Sequence, residues 1–529
     1  MLGAAIHPST LAVAAIGLLL LQVLVKLRQC KPRSGLISKI DAVGVSPRDS
    51  IFSWPVAVAK SVVAMQETMR EGYEKFSKHG KPFALPTMST GGAVLVLPPS
   101  MLNLLKRPRD EVSGYNALID NAQFRYLMTD RDVWDNVIHF DIVRKDLTLK
   151  NMGPITSVMA EEWDLAFLSS WGRSKNGASV NAWESMVRIV AHAALRVMVG
   201  LPGCRNQEYL EQSIKYANAV LTDGCVISCL PPSVRPVLGR IISLRARYHQ
   251  RKLMKILVPI VEEKMRHCEG REDRDAGSGD VIQWLIRVAK SHGPGQLVAE
   301  KIALRILALT PMFIFANGWV FAHAVLDIHS GQGGDNVIET LETECRRVSA
   351  EYCGLSSKEA VDALHNVDSA VRESMRLNDV SIYLLPFDLV SGAAIELGQG
   401  LRITAGSDVR SVYPAQMVHM DPDLYQNPEH FDPFRFSRGF DPSTSNGIPR
   451  GTTRETMTTV STSFLPFGYG RHACPGRWFT ACMMKQAVAY VLLNYDVQIL
   501  KKPARKASIL NFMVPPQDVE MLVTRKSMN

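Results

Sequence analysis

The stretch "FLPFGYGRHACPGRWF", Phe464 to Phe479, sets one cysteine, Cys474, among glycines, prolines and basic residues. Glycines at 468, 470 and 476 allow tight turns and let the backbone come close to a flat ligand. Backbone N–H groups and nearby basic residues favour the thiolate of a group whose free pKa is roughly 8.5. The other cysteines, at 30, 204, 225, 229, 268, 345, 353 and 482, are scattered and form no C-x-x-C pair. A zinc centre or a disulfide framework is therefore a poor reading. With no second Cys or His at metal-ligand spacing, the remaining ligands must come from a macrocycle, and haem held by a Cys thiolate is the obvious candidate. Cys482 falls inside a predicted helix over about 477–494 and reads as a buried structural cysteine.

Two further groups precede this loop. "AVRESMRLN" holds Glu373 and Arg376 at i, i+3, on one face of a helix, and "NPEHFDPFRF" holds Arg435. Alone, an E-x-x-R is a surface pair worth about a few tenths of a kcal/mol. With Cys474 following in this order, the chain resembles the cytochrome P450 family, whose haem loop reads F-x-x-G-x-R-x-C-x-G. Phe467, Gly470, Cys474 and Gly476 match it, and His472 occupies the Arg position, as in many fungal members. The resemblance implies that Cys474 is the proximal ligand of a haem b iron and that Phe467 packs near its sulfur. His472 would donate to a haem propionate, a weaker contact than a fixed guanidinium. It also implies a buried structural network of Glu373, Arg376 and Arg435 that helps to hold the loop. Breaking such a network costs about 3–5 kcal/mol. The N-terminal segment and "HGKPFALP" extend the likeness over nearly the whole chain, toward fungal members of secondary metabolism.

On the distal side the resemblance is less complete. "VIHFDIVRKDLT" (137–148) lies where the family places a helix that contacts haem and faces the reductase, which makes His139 and Arg144 propionate candidates. The W-x-x-x-R pattern is missing there. Family members that activate dioxygen usually carry an acid or His followed by Thr in a long central helix, a pair that relays protons. The equivalent helix spans 297–330, and between Thr310 and Asp327 it has no Ser, Thr, Asp or Glu. Asn317 and Gly318 are expected nearest the iron, with Trp319 and Phe315 narrowing the pocket. Pro311 should loosen the helix one turn earlier. His323 reads as a helix histidine paired with Asp327 at i+4. The expected reaction is monooxygenation of a lipophilic small molecule, a terpenoid or other secondary metabolite, with protons from ordered water, a substrate hydroxyl or a group positioned by Asn317. The alternative is a non-oxygenating rearrangement, dehydration or cyclisation.

These residues need a mostly helical frame. Long helical patterns dominate from about 150 to 375, broken at "GLPGC", "LPPSVRP" and "AGSGD". "GGAVLVLPP" and "IELGQGLRITAG" read as strands. The expected fold is mainly α with a minor β region, a haem–thiolate fold over residues 34–529.

Leu11 to Val25 is apolar except for Gln22 and is followed by Lys26, Arg28, Lys31 and Arg33, with no Lys or Arg before it. A cleaved signal peptide has the reverse charge order. Fifteen residues span only about 22 Å against a hydrocarbon core of about 30 Å. Ser9, Thr10 and a snorkelling Lys26 bring the run close to a single span. Residues 1–33 are thus expected to anchor the chain in the endoplasmic reticulum membrane, with the body on the cytosolic side. Absence of N-x-S/T acceptors fits that side. The net charge of +9 suits anionic lipid or an acidic partner, while no basic block with interleaved aromatics points to nucleic acid. The resemblance supplies the redox partner: NADPH–cytochrome P450 reductase, passing electrons from NADPH.

Overall fold

In a computed structural model, the apolar run over the cysteine forms one long helical rod, Ala299–Ile328, through the centre of the core. The structure describes residues 37–45, 53–89, 92–174, 176–268, 279–390, 392–398, 400–406, 409–438, 455–501 and 506–527. The expected membrane anchor over 1–33 lies outside the described residues. Among them, Ala299–Ile328 is the one helix long and apolar enough to cross a membrane, but 78% of its most apolar window is buried within the protein. It is a core helix.

Around the rod stand α1 (Ile138–Lys145), α2 (Met152–Trp171), α3 (Ala182–Val199), the rod's halves α4 (Ala299–Pro311) and α5 (Asn317–Ile328), α6 (His365–Leu377) and α7 (Arg477–Asn494). Two long helices, Gln207–Cys229 and Leu244–Cys268, pack across α4. The breaks at 200–204 and 230–236 fall between helices, as their Gly and Pro content predicts. The β region is small. One sheet runs β1 (Phe83–Pro86), β2 (Ala93–Val96), β5 (Arg410–Tyr413), β4 (Leu384–Leu389), β3 (Val112–Ser113). β2 is "AVLV", buried at every position, antiparallel to β1 with Phe83 opposite Val96 and parallel to β5. "IELGQGLRITAG" forms a hairpin, Ala394–Gly398 with Leu401–Thr404. A mainly helical protein with minor strands is what the sequence predicts.

Pro311 sets the shape of the rod. It has no N–H to donate and its ring crowds the carbonyl four residues back, so a regular ladder cannot pass through it. The chain responds with a π-helical turn, Met312–Ala316, between α4 and α5. Beyond the turn, Gly318 faces α3: a Cβ there would lie 2.9 Å from Val187 Cγ2. Gly318 is thus a close-packing position between two helices and not a distal site residue, which corrects the expectation. Phe315 is corrected in the same way. Its ring meets Trp183 of α3 edge-on at 5.2 Å instead of entering the pocket. Gly318→Val should cost about 1–3 kcal/mol through overpacking against Val187, read as a lower denaturation midpoint. An unchanged midpoint would mean that α3 and α5 are not seated this closely.

Candidate active site

The cysteine loop is built from tight turns. Gly468 and Gly470 take φ +75° and +58°, and a Cβ on Gly470 would sit 2.7 Å from the Leu105 carbonyl oxygen, so both position and conformation require glycine. The Cys474 N–H donates to the Phe467 carbonyl (2.7 Å), and Arg477 Nη1 donates to the Cys474 carbonyl (3.0 Å). Both Phe467 and Cys474 line a largely apolar cavity of about 290 Å³. Cys482 lies one helix face away, buried beside the Thr156 hydroxyl (3.0 Å).

The loop is held from behind by buried charge. Glu373 is fully buried and takes both oxygens to Arg376, at 2.8 and 2.9 Å, while Arg435 Nε donates to it at 3.0 Å. Arg376 also donates to the carbonyls of His419 (2.6 Å) and Pro428 (2.7 Å). The structure therefore brings Glu373, Arg376 and Arg435 together. It adds a histidine that the sequence does not single out. The Leu465 N–H donates to His419 Nε2 (2.8 Å), which leaves the ring proton on Nδ1 to donate to Asp379 (2.6 Å). Arg372, also fully buried, stacks over Phe464 (3.8 Å) and donates to the Thr459 carbonyl (2.9 Å). His419 and Leu465 are 46 residues apart and no periodicity links them, so only the folded chain reveals the contact.

The distal wall departs from expectation at several points. Met312, Ala316, Trp319, Val320 and His323 form one stripe of the rod along the cavity. Asn317 also lines it, with Nδ2 donating to the Phe313 carbonyl (2.8 Å) and Oδ1 buried without a partner. His323 does not pair with Asp327. Its ring packs on Trp319 (4.6 Å) in the cavity wall, and burial with nearby Lys506 holds its pKa down to about 3. Asp327 instead accepts from Ser374 Oγ and Asn378 Nδ2, each at 2.6 Å, because the following helix offers two donors where the imidazole offers one. Burial pushes its pKa up to about 6 against those donors.

His139 and Arg144 are corrected as well. The helix expected at the cavity is there, but it presents Phe140 and Val143. His139 is buried with Nδ1 at 3.3 Å from Arg305 Nη1, and burial beside that cation holds it neutral with a pKa of about 3. Arg144 points outward to Asp141 (3.3 Å). Arg109, whose Nη2 donates to the Arg471 carbonyl (3.1 Å), is a cation beside His472; it is absent from the sequence-based set because 362 residues separate it from Arg471.

Comparison with known proteins follows the same lines. The model of the family described as Cytochrome P450 matches residues 336–523. The cytochrome P450 monooxygenase gloP of Glarea lozoyensis is 30% identical, covering 90% of this chain and 90% of its own. The cytochrome P450 monooxygenase htyF of Aspergillus rugulosus is 29% identical over 87% of this chain and 69% of its own. The cytochrome P450 monooxygenase okaG of Penicillium ochrochloron is 26% identical over 89% of this chain and 91% of its own. The chain belongs to the cytochrome P450 family of monooxygenases.

Membership implies haem, and the cavity fits one. Among the described residues no cluster of His, Cys, Asp and Glu could hold a bare metal ion, so a metal at Cys474 needs ring ligands. Gly476 has an ordinary φ of −85°, and a Cβ there would meet only Val143 Cγ1 at 3.7 Å. What glycine leaves free at that position is cavity space. His472 Nε2 and Arg477 Nε are buried without a protein partner. Burial pushes the Cys474 thiol up, opposed by the Gly476 N–H and the Arg477 charge. Burial and Arg109 keep His472 toward its neutral form.

Glu373→Gln should cost about 3–5 kcal/mol in chemical denaturation, because two guanidinium groups lose their buried carboxylate. A loss under about 1 kcal/mol would mean that solvent screens the network. Asp327 gives a pH signature. Its folded pKa lies above the unfolded value, so the folded chain binds more protons between about pH 4 and 6 and stability falls as pH rises through that window, by roughly 3 kcal/mol at most. Asp327→Asn should flatten this slope in unfolding curves taken across the window.

Proposed function

We propose that this P450 is a haem–thiolate monooxygenase of an uncharged lipophilic small molecule, a terpenoid or other secondary metabolite. Its electrons come from NADPH through NADPH–cytochrome P450 reductase. Residues 1–33 anchor it as a single span in the endoplasmic reticulum membrane, with 34–529 as one cytosolic catalytic domain. The observation that carries the reading is Cys474 set in the wall of an aromatic- and Met-lined cavity beside the central rod. Cys474 would hold haem b iron, with Phe467 and Gly476 beside it and His472, joined by Arg109 or Arg477, toward the propionates. When bound, haem supplies the dioxygen activation by which one oxygen atom enters a C–H bond and the other leaves as water.

The chain's residues shape what surrounds that step. Phe140, Phe313, Trp319 and Val320 exclude water and seat an apolar molecule against the rod. Neither an acid nor a hydroxyl stands on the rod's cavity-facing stripe, so protons would arrive by ordered water, by a hydroxyl of the ligand, or through a group positioned by Asn317. That same lack favours the second reading, a rearrangement, dehydration or cyclisation without oxygen incorporation.

Product analysis with ¹⁸O-labelled dioxygen and NADPH separates the two. Labelled product that requires both is the expected outcome; product formed anaerobically without NADPH would establish the second reading. Cys474→Ser should abolish the ferrous–carbon monoxide band diagnostic of thiolate ligation. An unaltered band would remove Cys474 from its role.

A further inference from the structure

The cavity is largely apolar; Asn317 Oδ1 lines it on the rod without a partner, and its most polar end lies where α5 meets the end of α6. There, three polar atoms of cavity-lining residues are buried with no partner in the protein: His323 Nε2, Asn378 Oδ1 and Asp379 Oδ1. Leaving buried polar atoms unpaired costs free energy, so three at one place ask for a ligand group to satisfy them.

Their orientations are fixed from behind. Asn378 Nδ2 donates to Asp327 (2.6 Å) and to the Ser374 carbonyl (2.8 Å), so both amide hydrogens are used and the oxygen is the atom left over. Its own carbonyl takes the Trp319 indole N–H (2.8 Å), and that indole carries the His323 ring. Asp379 gives one oxygen to His419 Nδ1–H and keeps the other. The end of the cavity therefore offers two acceptors and one imidazole nitrogen that can donate.

Charge narrows the choice of ligand. Arg376 and Lys506 already bring positive charge toward Asp379, and Lys506 faces Asp327 and His323 as well. A further cation, such as an alkylammonium, would meet repulsion as well as desolvation. A hydroxyl donates one hydrogen bond and accepts others without charge.

Building on the monooxygenase reading, we propose that the cavity selects a lipophilic substrate that already carries a hydroxyl group, seated with its O–H donating to Asn378 Oδ1 or Asp379 Oδ1 and its oxygen accepting from His323 Nε2. The hydroxyl then fixes which part of the apolar skeleton lies toward Cys474. The reaction that supplies this substrate is one that leaves an alcohol on a hydrocarbon skeleton, such as an earlier hydroxylation or a ketone reduction.

The test is calorimetric binding to the haem-loaded full chain without NADPH, using four probes on one bicyclic skeleton: decahydronaphthalene, its 2-methyl ether, its 2-alcohol and its 2-amine. The step from ether to alcohol reads donation to Asn378 or Asp379, and the step from hydrocarbon to ether reads donation from His323. Each step is expected to tighten binding about tenfold. His323→Phe, which keeps an aromatic ring against Trp319, should erase the hydrocarbon-to-ether step and leave the other in place; His323→Gln should restore part of it. Alcohol and ether bound within about twofold by the unsubstituted chain would overturn the proposal, as would an amine bound more tightly than the alcohol. An ether preference that survives in His323→Phe would remove His323 from the anchor. The unsubstituted chain decides the first point whether or not the variants fold. Because no turnover is read, a chain that oxygenates but ignores the hydroxyl defeats this inference alone. One that selects the alcohol and does not oxygenate defeats the reaction alone.

Discussion

A carboxylate with no access to water, Glu373, is the constraint around which the proximal half of the molecule is arranged. An ion this deep is tolerable only if every oxygen is satisfied, and Arg376 and Arg435 together do that. Once Arg376 is pinned there, its remaining nitrogen reaches the carbonyls of His419 and Pro428. His419 in turn holds Leu465, nine residues before Cys474, through the backbone N–H. A charge pair on α6 thereby fixes the start of the cysteine loop through a chain of directed bonds, each of which would be left unsatisfied if the loop shifted. The arrangement specifies position more than it adds stability, since a buried ion pair gains little net free energy over an apolar replacement.

The opposite wall depends on a different constraint, the missing N–H of Pro311. The π turn it forces re-aims the rod. Gly318 then packs on α3 while Trp319, Val320 and His323 turn to the cavity. The two constraints meet at Asn378, which ends α6, accepts from Trp319 of the rod and donates to Asp327. Asn378 thus registers the rod to α6, the helix whose Glu373 and Arg376 anchor the network behind the cysteine loop.

How much of this the sequence discloses depends on the range of the interaction. Cys474, its glycines and the Glu373–Arg376 spacing are local patterns, and the fold class follows from helical periodicity and a few Gly- and Pro-bounded strands. The resemblance brings both Asn317 and Gly318 to the cavity, and only the structure separates them, because adjacent helix residues differ by about 100° and the π turn alters that phase. His323 and Asp327 sit at the right spacing to pair, and the expectation failed because Ser374 and Asn378, from another helix, compete for the carboxylate. His139 and Arg144 lie on the correct helix with the wrong faces inward; their amphipathic pattern serves Arg305 and solvent. Contacts such as His419 with Leu465 leave no local pattern at all.

The distribution of charge in the cavity carries the argument one step further. His323 in the wall is held toward its neutral form, and Asp327 stands one layer behind the wall, reaching the interior only through Ser374 and Asn378. Among the described residues Asp379 alone brings a carboxyl group to the surface of the cavity; burial pushes its pKa up, and the His419 Nδ1–H donates to it from the rear. The interior thus presents oriented dipoles more than net charge. In a water-poor cavity such dipoles discriminate strongly between a ligand that completes their hydrogen bonds and one that does not, while apolar contacts along the rod discriminate only weakly between skeletons of similar size. Selectivity should therefore reside at the polar end, remote in sequence from the cysteine, and reactivity at the sulfur end, so that the two can vary independently on one fold.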